Sequence, residues 1–187
     1  MTHLSPGQTI LVLGSGISGL LHVAIARASG AGRIIATDIS EYRLNAALSL
    51  GADGVIHAEE NVPARLHQAN DNRLADLVIV CTSAFSAFCQ ALQSVDRGGT
   101  VLFFAPTAPG IDLPVPVNEF WRNGITLMPS YGGSPLDICR AIDLIRARRV
   151  PVHEMITHRL GLAETGLGFR LVAEGSESIK VIIEPQR

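Results

Sequence analysis

Three glycines at the spacing G-x-G-x-x-G, Gly14, Gly16 and Gly19, stand between two apolar stretches, and a lone carboxylate, Asp38, follows nineteen positions after the last of them. No other feature constrains the fold as much. The run "TILVLG" (Thr9–Gly14) reads as a strand buried on both faces, because no polar alternation interrupts it. Ser18–Ser29 reads as the helix that follows. A glycine triplet alone is a weak signal; between a strand and a helix, with an acid closing the next strand, it is a strong one. Gly14 can take a backbone angle closed to other residues, and Gly16 has no side chain to keep a pyrophosphate from the backbone. Gly19 lets the helix lie close against the strand. The helix N-terminus adds unpaired N–H groups and the positive end of a dipole. Asp38 can accept both hydroxyls of an adenosine ribose and repel a 2′-phosphate, which points to NAD rather than NADP.

Two alternatives stay open at this point. The glycines could serve only a tight turn and close packing. A methyltransferase would hold S-adenosylmethionine with a similar loop and acid, but with a looser glycine pattern and a reversed strand at the end of its sheet.

The rest of the chain alternates in the same rhythm. Near-continuous apolar runs occur at Arg33–Asp38, Gly54–Ala58, Asp76–Thr82, Gly99–Ala105 and Ile125–Tyr131. Helical patterns fill the gaps at Glu41–Leu50, Val62–Ala69, Phe85–Val95 and Pro135–Arg146. This alternation predicts βαβ crossovers and a Rossmann-type, doubly wound α/β fold with a six-stranded parallel sheet. Pro106, Pro109, Pro114 and Pro116 make the segment after Ala105 a rigid link, with one helical turn around Asn118–Arg122. Beyond Val150 the pattern changes to a strand–helix–strand tail, at Met155–Leu160, Ala163–Ala173 and Ile179–Glu184. The expected division is therefore a dinucleotide domain over 1–149 and a tail over 150–187.

Composition excludes several classes. Of 187 residues, 47% are hydrophobic and 17% charged, with a net charge of −2. That balance argues against nucleic acid or an anionic membrane as partner, since both select a basic face. No apolar run is long enough for a membrane span, and the N-terminus lacks the pattern of a signal peptide. Three cysteines at spacings matching no zinc or redox motif fit a cytoplasmic protein.

The segments "PGQTILVLGSGISGLLHVAIARASGAGRIIATDISEYRLNAALSLGAD", "RGGTVLFFAP", "ITLMPSYGG" and "ITHRLGLAETGLGFRLVAEGSESIKVIIEP" resemble the nucleotide-binding domain of zinc-type medium-chain alcohol dehydrogenases, of the sorbitol and threonine dehydrogenase branch. The resemblance covers essentially the whole chain. It implies a parent enzyme that transfers hydride between a secondary alcohol or polyol and NAD, with zinc as a further cofactor. Carried over by position, Gly14, Ser15, Gly16, Ile17, Ser18 and Gly19 would hold the pyrophosphate, and Asp38 and Arg43 the adenosine ribose. Cys81, Thr82, Ser83, Ala105, Pro106, Ser130 and Tyr131 would line the path from adenine to nicotinamide. The family's zinc ligands and catalytic residues have no counterpart here, so this reading assigns none to this chain. Substrate contacts would come from a catalytic domain that these residues do not include, and the tail, which completes that domain in the family, would lack its partner. The chain is then a cloned domain, a proteolytic fragment or part of a split gene product, inactive alone. The family also implies a homodimer or homotetramer, assembled through the proline-rich link with Phe120 and Trp121. A stand-alone NAD(H)-binding or redox-sensing module is the alternative.

Other candidates read as structural. "HEMITH" (His153–His158) spaces its histidines five apart, which does not place them on one helix face as H-E-x-x-H does. His22, Arg27, His57 and His67 read as hydrogen-bonded surface. Cys81 has no His or Asp at a diagnostic spacing, which favours a small polar lining over a nucleophile. Cys89 and Cys139 read as core.

Overall fold

The computed structural model describes residues 4–186. Six strands form one sheet: β1 (Thr9–Leu13), β2 (Arg33–Asp38), β3 (Gly54–His57), β4 (Ala75–Val80), β5 (Val95–Phe103) and β6 (Thr126–Pro129). Their order is β3-β2-β1-β4-β5-β6 and every neighbouring pair is parallel. No strand is reversed, unlike the sheet end expected of a methyltransferase.

Alternate strand residues feed two cores. Ile10, Val12, Ile34, Ala36, Leu77 and Ile79 face helix α1 (Ile17–Ala28) and helix α2 (Glu41–Ser49). Leu11, Leu13, Ile35, Val78 and Val80 face α3 (Val62–Ala69), α4 (Phe85–Ser94) and α5 (Val117–Asn123). Burial on both faces explains the near-continuous apolar runs, each fully buried aliphatic side chain contributing about 1.5–3 kcal/mol. The elements fall within one or two residues of the sequence expectation except β5. That strand starts at Val95, because Val95 pairs with Ala75 before the register shifts and resumes at Thr100 opposite Leu77.

Helix α6 (Pro135–Arg146) follows β6 and buries none of its residues. In the tail, a 3-10 turn leads into β7 (Ile156–Gly161), then α7 (Thr165–Glu174) and β8 (Lys180–Glu184), with β7 and β8 parallel in a separate two-stranded sheet. Val150 and Met155 pack into the α1-side core, so the main core extends past residue 149 before the second sheet begins.

Candidate functional site

The strand order reverses direction between β1 and β4, so the chain departs from that point both ways and leaves a crevice at the carboxyl ends of the strands. A cleft of about 540 Å³ lies there, lined by Gly14, Asp38, Ile39, Arg43, Glu59 and Gln90 among others.

Each glycine of the loop has its own physical reason. Gly14 has φ +93°, and a Cβ there would come 3.0 Å from Thr82 Cβ, so both backbone and space exclude a side chain. Gly16 faces nothing within 4 Å: it is the open side of the loop, where a ligand can approach the backbone. A Cβ on Gly19 would overlap the carbonyl oxygen of Gly14, so this glycine pins the helix to the loop itself as well as to Val12 of β1. Helix α1 has Gly16 as its N-cap and no side-chain cap, which leaves the first-turn N–H groups for another acceptor. Ile17 packs against the α1-side core, and the Ser18 carbonyl accepts from His22 Nδ1 at 2.8 Å.

Asp38 is buried at the end of β2 with its carboxylate fixed by two backbone donors. Ser15 N–H donates to Oδ2 at 2.8 Å and Ser40 N–H to Oδ1 at 3.0 Å. Each oxygen keeps acceptor capacity for a further donor from the cleft. Ser15 is fully buried, and its hydroxyl donates to the Thr37 carbonyl at 3.1 Å. Its contribution is to fix Asp38 and the loop, not to offer its own side chain to a ligand.

Arg43 reaches the cleft from α2. Its Nε is buried without a hydrogen-bond partner among the described residues. A buried donor left open in this way costs free energy. Gly175, the left-handed C-cap of α7 with φ +62°, crowds the same side chain: a Cβ there would lie 2.9 Å from Arg43 Nη2.

The remaining expected lining residues separate. Thr82 borders the cleft. Ser83 is exposed beside it, at the turn into α4. Ala105 and Pro106 line a depression of about 310 Å³ with Phe88, Phe103 and Leu113. Ser130 lines a cavity of about 460 Å³ with His22, Phe104 and Met128. Tyr131 is fully exposed.

Cys81 meets a neighbour that lies too far away in the chain to be read from spacing. His22 Nδ1 is 3.5 Å from its sulfur, and the His22 ring packs edge-on to Phe104. Burial pushes the Cys81 thiol up to about 12. Burial also lowers His22, against the raising effect of its bond to the Ser18 carbonyl. Both groups are therefore neutral near pH 7, which removes the thiolate that nucleophilic or redox-sensing chemistry needs. Cys139 is exposed and Cys89 half-buried, neither lying in the core as expected. Arg27 is engaged, donating to the Gly51 carbonyl and pairing with Asp53 at 2.5 Å.

The cleft brings together an open glycine, an oriented carboxylate and a guanidinium-bearing side chain. Zinc does not fit the residues present. Among the described residues, no three of His, Cys, Asp and Glu converge as metal ligands. Nor is any helix among them long and apolar enough to cross a membrane.

Comparison with known proteins agrees with this geometry. The family model described as zinc-binding dehydrogenase matches residues 18–147, well over half of the chain. The L-threonine 3-dehydrogenase of Bacillus licheniformis is 33% identical, over 99% of this chain and 54% of its own length. The sorbitol dehydrogenase of Bacillus subtilis is 31% identical, over 100% of this chain and 53% of its own. The structure of alcohol dehydrogenase TADH from Thermus sp. ATN1 superposes with a TM-score of 0.86 at 29% identity, covering 95% of this chain and 51% of that one. The chain spans about half the length of the curated relatives it matches. Glycine loop, oriented acid, sheet order and family match together assign this chain to the zinc-binding dehydrogenases.

Proposed function

We propose that this chain binds NAD(H) and forms the cofactor-holding part, centred on residues 1–149, of an alcohol or polyol dehydrogenase. The observation that carries the reading is the Asp38 carboxylate, held by the N–H groups of Ser15 and Ser40 at the mouth of the glycine loop. Two oriented oxygens there suit the two vicinal hydroxyls of a ribose, and their charge opposes a 2′-phosphate. The uncapped start of α1 and the open face of Gly16 receive the pyrophosphate, and the Arg43 side chain, which lines the same cleft, lies toward the ribose. When bound, the nicotinamide supplies the hydride acceptor for the carbon of a secondary alcohol. The residues present bind and orient; polarising the alcohol belongs to residues beyond this chain. Assembly through the proline-rich link is supported by Trp121, which is 80% exposed beside edge strand β6.

Calorimetric titration with NADH, NADPH and S-adenosylmethionine tests the reading, with sedimentation of the same samples reporting assembly. NADH is expected to bind best, with no turnover of alcohols. Asp38→Gly should narrow the preference for NADH over NADPH by roughly tenfold, as the repelling charge is removed. An unchanged margin would refute the ribose role of Asp38, and binding of S-adenosylmethionine alone would refute the dehydrogenase reading.

A further inference from the structure

We infer that Glu59 and Gln90 read the base of the bound nucleotide, selecting the exocyclic amine of adenine; this rests on the NAD(H) reading of the cleft. Both residues line the cleft that holds Asp38, at the side formed by the end of β3 and by α4. Ile39, Ala84 and Ala87 give that side apolar walls, suited to the faces of a flat ring. What meets the edge of the ring then decides which base is accepted.

The turn after β3 is firmly built. Ala58 N–H donates to the Asp38 carbonyl at 3.0 Å, and Glu60 N–H to the His57 carbonyl at 3.0 Å. His57 Nε2 faces the Ile39 carbonyl at 3.1 Å and must therefore carry the proton, which leaves Nδ1 to accept from Glu59 N–H at 3.4 Å. The two acids of this turn then differ in their commitments. Glu60 accepts from His57 N–H and pairs with Arg65 at 3.0 Å. The Glu59 carboxylate has no partner among the described residues, although Arg43 lines the same cleft. Gln90 is oriented by what it touches: its Nε2 donates to the Ala58 carbonyl at 3.0 Å, so its amide oxygen remains an open acceptor.

The cleft therefore presents a carboxylate and an amide oxygen, and both accept. A ring edge with an amine matches them, since the amine brings two N–H donors. A ring edge with a carbonyl sets oxygen against oxygen at that position and keeps a single N–H donor, on the neighbouring ring nitrogen. Adenine meets the first description and hypoxanthine the second, with the sugar and phosphates unchanged.

The test titrates ADP-ribose and its hypoxanthine counterpart, inosine diphosphate ribose, into the full 187-residue chain. Neither probe carries nicotinamide, so only the adenosine end is measured. ADP-ribose is expected to bind about fivefold tighter or more, the size of one hydrogen bond to a partly exposed charged group. Glu59→Gln should weaken ADP-ribose and strengthen the hypoxanthine probe, because the new amide can donate to the ring carbonyl, bringing the ratio toward one. Glu59 is exposed, so this substitution leaves the core untouched. Equal affinities in the unaltered chain would overturn the inference, as would a ratio that survives both Glu59→Gln and Gln90→Ala. Failure of ADP-ribose to bind at all would overturn the NAD(H) reading as well, which separates the two failures.

Discussion

Helices α1 and α6 are both twelve residues long, and they are held in opposite ways. Helix α1 has no side-chain cap and no acid in its first turn, yet it buries Gly19, Leu20, Val23, Ala24 and Ala26. Helix α6 buries nothing, but it starts with proline and a reciprocal capping box in which Ser134 and Asp137 satisfy each other's backbone N–H groups. The difference shows where each helix gets its stability. A helix whose N-terminus must stay open for an anion cannot spend its first turn on its own caps, so packing has to hold it. A helix with little packing depends on local hydrogen bonds.

Substitutions at the helix starts test this contrast. The largest effect is expected at Gly19, where any side chain collides with the Gly14 carbonyl. Gly19→Ala should lower stability by about 3 kcal/mol or more, displacing α1 from the loop. Thermal melting checks this, with a fall in Tm of roughly 6–12 °C for a chain of this size. A stable Gly19→Ala variant would mean that α1 does not depend on that contact. Gly16→Val should do the reverse: with nothing within 4 Å and φ −67°, the fold should tolerate it, while ADP-ribose affinity falls roughly tenfold or more as the new side chain fills the pyrophosphate approach. Calorimetry beside a melting curve separates the two effects, and joint loss of stability and binding would contradict the open face of the loop.

The smallest effect belongs to α6. Ser134→Ala should speed amide exchange at the start of α6 severalfold while Tm hardly moves, since no residue of that helix is fully buried and Leu144, which touches the core, lies at its far end. The Asp137 carboxyl is held below the usual aspartate range, first by the Ser134 hydroxyl and then by the Ser134 N–H. A carboxyl lowered in the folded state contributes its support above its ordinary value and loses it as pH falls through the lowered one. The first turn of α6 should accordingly loosen only in acid, and Ser134→Ala should weaken that dependence without abolishing it, since the backbone N–H of residue 134 still donates to Asp137. Pronounced loosening of α6 near neutral pH would show that the capping box is not what holds it.

The contrast also separates what could be read from the sequence from what could not. The glycine spacing, Asp38 and the apolar runs are local patterns, and they led to the right sheet, the right helices and the right family. Contacts set by sheet register were not legible. His22 meets Cys81 across 59 positions because β1 and β4 are neighbours, and no spacing rule contains that fact. Glu59 and Gln90 belong to no motif; they share a cleft because the end of β3 and helix α4 converge there. The strand-end residues expected from the resemblance lie on different surfaces for a related reason. Periodicity shows where a strand ends but not which way the next residue faces, so Ala105, Ser130 and Tyr131 went to a depression, a cavity and solvent.

The meeting of Gly175 with Arg43 has a consequence for how the tail and the nucleotide cleft share the molecule. The guanidinium has just enough room because the residue that ends α7 has no side chain. The two-stranded sheet behind α7 is therefore coupled mechanically to the ribose end of the cleft, with Gly175 as its steric border against Arg43. If the tail shifts, whatever docks on its far side, the movement arrives at the cleft as a change in the space allowed to a single cation.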